Sequence, residues 1–154
     1  MNKQSFEKVS GKGVRIAVVV SRFNDSITKR LLSGCLEQLA KLGVNKSDIK
    51  VSWVPGAFEI PVIALKYASK KNIDAVICLG AVIEGKTDHY RLVIDNAANG
   101  IMQVSIITQK PIVFEILAAK SIVLANKRSQ SKGNNKGRDA ADTAVKMASL
   151  ISEI

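Results

Sequence analysis

Hydrophobic and polar positions follow two rhythms along the chain. Nearly continuous apolar runs of strand length occur at Arg15 to Ser21, Asp74 to Ile83 and Lys110 to Leu117, and Ile49 to Val54 reads as a further strand. Runs of this kind are shown by strands buried on both faces. Between them, apolar residues recur at the helical period. Ile27, Leu31, Cys35 and Leu39 form one stripe, and Tyr90, Ile94, Ala97, Ala98, Ile101 and Val104 a second. Ala141, Ala144, Val145, Ala148 and Ile151 form a third, in a helix over Arg138 to Ser152. The first helix is capped by Asn24 or Asp25 and stopped near Leu42 by Gly43. A helix after Val54 tolerates Pro61 in its first turn. Ala118 to Arg128 reads as helical. Ser129 to Gly137, rich in Gly, Asn and Ser, reads as a polar loop.

Four strands alternating with helices predict an α/β chain: a three-layer, flavodoxin-like fold with a four-stranded parallel sheet and helices on both faces. Residues 1–13 form an N-terminal arm, with Phe6 and Val9 as anchors, and residues 14–154 a single domain. In such sheets ligands bind at the carboxyl edge of the strands. Phe23, Ala57 to Glu59, Ala81 to His89 and Phe114 are all expected at that edge. Phe23 is either a core residue or a platform for a flat ligand. Glu59 either favours a helix dipole or accepts from ligand hydroxyls. The densest chemistry is at Gly85-Lys86-Thr87-Asp88-His89, where a strand turns into a helix capped by Thr87 or Asp88. Free backbone N–H groups, the helix end and Lys86 converge there on one spot, which suits a phosphate. His89, the sole histidine, sits beside it as a candidate proton-transfer group.

Composition narrows the function classes. The chain has 154 residues, 47% hydrophobic and only 5% aromatic, which suits an aliphatic core of strands and helices. No apolar run is long enough to span a bilayer, and the polar start has no signal-peptide core. Cys35 and Cys78 lie in apolar segments, as buried free thiols of a reducing, cytoplasmic compartment do. One histidine and two distant cysteines make no metal-ligand cluster. The net charge of +10 raises the question of nucleic acid. The basic residues are scattered, however, and no aromatic RNA-binding strand accompanies them. A solvated surface with a local anion site accounts for the charge equally well.

Four segments together carry a resemblance. Arg15-Ile-Ala-Val-Val-Val-Ser-Arg-Phe-Asn24, Val54-Pro-Gly-Ala-Phe-Glu-Ile-Pro61, Gly80-Ala-Val-Ile-Glu-Gly-Lys-Thr-Asp-His-Tyr90 and Asn135-Lys-Gly137 resemble lumazine synthases, in order and over nearly the whole chain. The resemblance implies condensation of 5-amino-6-(D-ribitylamino)uracil with 3,4-dihydroxy-2-butanone 4-phosphate, without metal or organic cofactor. The product is 6,7-dimethyl-8-ribityllumazine, with release of phosphate and water. It further implies that Phe23 stacks on the pyrimidine, and that Ala57, Phe58 and Glu59 hold the ribityl chain. Backbone groups of Ala81, Val82 and Ile83 read the pyrimidine edge. Lys86, Thr87 and Arg128 hold phosphate, and His89 moves protons. Phe114 and Lys136 complete the site. The implied assembly is a homopentamer with sites between subunits. A sixty-subunit shell is the larger form, and riboflavin synthase a candidate partner. The chain departs from the family at Arg91, where an acid is common, and at Glu115, where glycine is usual. It also departs at Ala118-Ala119-Lys120, and at Lys86, where a small residue is usual.

Overall fold

The computed structural model describes residues 9–154. Phe6 and most of the expected arm lie outside that range. Within it, Val9 packs against the core and the Gly11 N–H donates to the Leu42 carbonyl at 2.7 Å. The elements alternate: β1 (Ile16–Ser21), α1 (Asp25–Lys41), β2 (Ile49–Val54), α2 (Ile60–Ala68), β3 (Ala75–Ile83), α3 (His89–Thr108), β4 (Ile112–Ala119), α4 (Ile122–Arg128) and α5 (Lys136–Glu153). The four strands are all parallel, in the order β2-β1-β3-β4. No described helix is long and apolar enough to cross a membrane.

Every residue of β1 is buried, so side chains on both of its faces must be covered. Ile16, Val18 and Val20 face one layer, where they meet Ile27, Leu31 and Leu39 of α1 and the alanine stripe of α5. Ala17 and Val19 face the other, where they meet Ile60 and Ala64 of α2 and Ala97 and Ile101 of α3. The three layers anticipated from the apolar rhythm are therefore present, one core on each side of the sheet. Fully burying each of the large aliphatic residues stabilises the fold by about 1.5–3 kcal/mol before entropy is counted.

Helix ends follow local chemistry. Gly43 adopts φ 87°, and its N–H and that of Val44 return to the Ala40 and Leu39 carbonyls, closing α1 where expected. Two boundaries differ from the sequence reading. Ala118 and Ala119 continue β4, paired with Val82 and Ile83, and α4 begins only after Ser121, whose Oγ accepts from the Leu124 N–H at 3.3 Å. The last helix starts earlier than expected. Asn135 Oδ1 accepts from the Gly137 N–H at 2.9 Å, so Lys136 and Gly137 already lie in its first turn. Packing requires this too, because an ideal Cβ on Gly137 would lie only 1.9 Å from the Leu31 carbonyl oxygen.

Candidate active site

The chain runs from β1 outward to β2, then returns to place β3 on the other side of β1. That reversal opens a crevice between β1 and β3 at their carboxyl ends. A cavity of about 620 Å³ lies at this edge, large enough for a small-molecule site. The turn after β1 contributes Phe23, the segment after β2 contributes Ala57, Phe58 and Glu59, and the end of β3 contributes Ala81, Val82 and Ile83. Thr87 and His89 enter from the start of α3. Nine of the expected site residues are thus brought to one surface.

Backbone geometry explains why the end of β3 is available. Its pairing with β1 stops at Leu79 against Val20, whereas its pairing with β4 continues to Ile83 against Ala119. The segment from Ala81 to Ile83 therefore projects past β1 with one edge unpaired in the sheet. Asn24 takes one group of that edge, its Nδ2 donating to the Ala81 carbonyl at 2.9 Å. Asn24 does flank the start of α1, in the left-handed region at φ 59°, but its side chain makes no cap. It ties the turn after β1 to β3 across the crevice. Sequence reading assigned it only to capping.

The two phenylalanines stand out by exposure. Phe23 is 71% exposed and Phe58 59%, both on the cavity wall. A core role for Phe23 is thereby excluded. Glu59 is held from behind, with Oε2 accepting from the Gly56 N–H at 2.9 Å, which fixes the carboxylate while leaving its other oxygen open. Asp88 precedes α3 without a side-chain cap, so the free N–H groups of that helix start are not taken by a side-chain oxygen from it. Leu92, Val93 and Asn96 add a wall from the same helix. Sequence reading missed these three, although their spacing from His89 places them on one helical face.

Four expected residues lie elsewhere. The Lys86 side chain is exposed and does not line the cavity, although Gly85 and Thr87 on either side do. Phe114 is the third residue of β4, paired with Cys78, and so sits toward the amino end of the strand rather than near its carboxyl end. It is 39% exposed on the edge strand. Arg128 closes α4, and Lys136 opens α5 with its Nζ 2.6 Å from Asp139 Oδ2. These two cations flank Glu115. Burial pushes the Glu115 carboxyl up to about 7, while Lys136 and Arg128 oppose the shift and Asp139 adds to it. The unusual carboxylate is therefore only partly solvated and is not tightly paired. Among the described residues no group of three potential ligands could hold a metal ion.

The family profile of 6,7-dimethyl-8-ribityllumazine synthase matches residues 13–152. The chain belongs to the 6,7-dimethyl-8-ribityllumazine synthase family. Relatives of that name from two strains of Thermus thermophilus are each 44% identical over 146 residues, covering 95% of this chain and 93% of theirs. Lumazine synthases are transferases that carry out the condensation step of riboflavin biosynthesis.

Proposed function

We propose that the cavity binds 5-amino-6-(D-ribitylamino)uracil and 3,4-dihydroxy-2-butanone 4-phosphate side by side and joins them. The single observation that carries this reading is the convergence of Phe23, Glu59, the open edge of β3, Thr87 and His89 on one cavity. Phe23 offers a face to the pyrimidine, and the β3 edge from Val82 to Ile83 offers the backbone groups that pair with its polar rim. Glu59, fixed by Gly56, accepts from ribityl hydroxyls beside Phe58. The phosphate lies at the start of α3 against Thr87, with Lys86 near by.

The chemistry then follows from position. The pyrimidine amine attacks the ketone carbon, and loss of water leaves an imine. The phosphate ester leaves as inorganic phosphate, the ribitylamino nitrogen closes the second ring, and a further water departs. Holding the two reactants in place can supply about 7–11 kcal/mol of the barrier. His89, on the first turn of α3 at the same wall, carries protons between these steps, typically worth about 10²–10⁴-fold.

We further infer that Arg128, Phe114 and Lys136 serve the cavity of an adjacent copy in a homopentamer. Leu92, Met102, Ile106 and Ile107 of α3 and Ile122 to Leu124 of α4 are exposed, far more apolar surface than scattered side chains account for. The test mixes purified protein with both substrates and follows lumazine absorbance and phosphate release, with mass measured by light scattering. The expected result is equal amounts of lumazine and phosphate from a five-copy particle. A folded oligomer that forms no lumazine would refute the enzymatic reading, and a monomer with full activity would refute the shared site.

A further inference from the structure

Arg30 lies on α1, away from the cavity, and its guanidinium grips the chain as it leaves α4. Its Nε donates to the Ser129 carbonyl at 2.9 Å, and Nη2 donates to Asn126 Oδ1 at 2.5 Å and to Ser129 Oγ at 3.1 Å. The Arg30 carbonyl in turn accepts from Asn135 Nδ2 at 2.9 Å, and the same amide reaches the Gln130 carbonyl at 3.1 Å. Ser129 and Asn135 are bridged to each other and are 0% and 3% exposed. The strap from Ser129 to Asn135 is therefore cinched at its base around one arginine. The residue just before the cinch is Arg128 and the residue just after it is Lys136. The tip of the strap is held separately, by Arg138, which donates to the Gly133 carbonyl at 3.0 Å and the Ser131 carbonyl at 2.7 Å.

We propose that Arg30 is a positioning residue for phosphate recognition, setting where Arg128 stands relative to α1. This rests on the reading of Arg128 as a phosphate ligand. Three donor contacts from one planar fork lock both the helix-side carbonyl and the side chains of the α4 terminus, which a single ammonium could not do. Arg128 is covalently one residue from Ser129, so a cinch that fixes Ser129 fixes the root of the Arg128 side chain. The phosphate ligand offered to the adjacent copy thereby shares a rigid frame with α1 of its own chain.

The experiment uses full-length protein, checked for assembly by light scattering, with inorganic phosphate as the probe. Phosphate inhibition, the KM of each substrate and kcat are measured for Arg30→Ala, Arg30→Lys, Arg128→Ala and Arg138→Ala. Arg30→Ala is expected to weaken phosphate inhibition and raise the KM of the phosphorylated substrate by about tenfold, with the pyrimidine KM unchanged. Arg30→Lys should recover part of the loss. Arg138→Ala should lower stability yet leave phosphate inhibition as in wild type. If Arg30→Ala fails to assemble, Asn126→Ala removes one acceptor and should give a smaller loss in the same direction. Unchanged phosphate inhibition in assembled Arg30→Ala, an equal rise in both KM values, or an equal loss from Arg138→Ala would overturn the proposal. A loss in Arg128→Ala without one in Arg30→Ala defeats this inference alone. No loss in Arg128→Ala defeats the phosphate reading and the inference with it.

Discussion

Replacing Glu115 by glutamine should stabilise the protein, and only above acidic pH. The carboxyl titrates near 4.5 in an open chain and is pushed up to about 7 in the fold, chiefly by burial. Between those values the native state holds a proton that the unfolded state has released. Stability therefore falls as pH rises above about 4.5, and the loss is complete above about 7. The whole displacement corresponds to at most about 3 kcal/mol. Partial exposure of the side chain reduces this to about 1–2 kcal/mol. Glutamine keeps the shape and cannot ionise. Glu115→Gln should thus match wild type at the acid end and exceed it by about 3–6 °C in Tm at mildly alkaline pH. The assay is thermal or urea unfolding across pH at one fixed protein concentration, since assembly makes stability concentration-dependent. All other titrating groups are common to both proteins and cancel in the difference. A difference that stays flat with pH, or a variant less stable than wild type at alkaline pH, would refute the reasoning.

Other expectations follow from single contacts. His89→Ala should slow turnover about 10–10³-fold at saturating substrates while the assembly persists, because positioning of the reactants survives; single-turnover absorbance measures it. Gly137→Ala must move α5 away from the Leu31 carbonyl, costing about 1–3 kcal/mol and visible as a fall in Tm. RNA should bind weakly, without sequence preference, and detach as salt is raised, which filter binding at several ionic strengths would show; tight selective binding would contradict the enzyme-only reading of the +10 charge.

The centre of the sheet was legible because β1 and β3 are almost pure apolar runs, as strands covered on both faces are. Ile49–Val54, an edge strand in which Lys50 and Ser52 alternate with apolar residues, also emerged with the bounds read from sequence. The errors lie where composition and context compete. Alanine favours helices, yet Ala118 and Ala119 are strand because β3 offers them partners. Lys136-Gly137 looks like loop, yet a side-chain cap from Asn135 and close packing on α1 turn it into helix. Within the site, residues next to strand ends could be placed from chain order alone. Arg128 and Lys136 came only from family resemblance, Phe114 was also expected at the strand edge from chain order, and the fold leaves all three outside the cavity of their own chain. The α3 wall at Leu92, Val93 and Asn96 was hidden because a helix facing a cavity has the same period as one facing a core.

The two cysteines sit on opposite sides of the sheet, Cys35 in the core shared by α1 and α5 and Cys78 in the core shared by α2 and α3. Burial pushes the Cys35 thiol up to about 12 and raises that of Cys78 as well, so neither reacts while its layer is closed. The molecule consequently carries its own pair of opening gauges. Alkylation of one thiol reports loosening of one layer, and mass spectrometry separates the two without any inserted label. If the layers open together the two modification rates will coincide at every denaturant concentration. If one half of the molecule breathes independently, the rates will part first at the cysteine of that half.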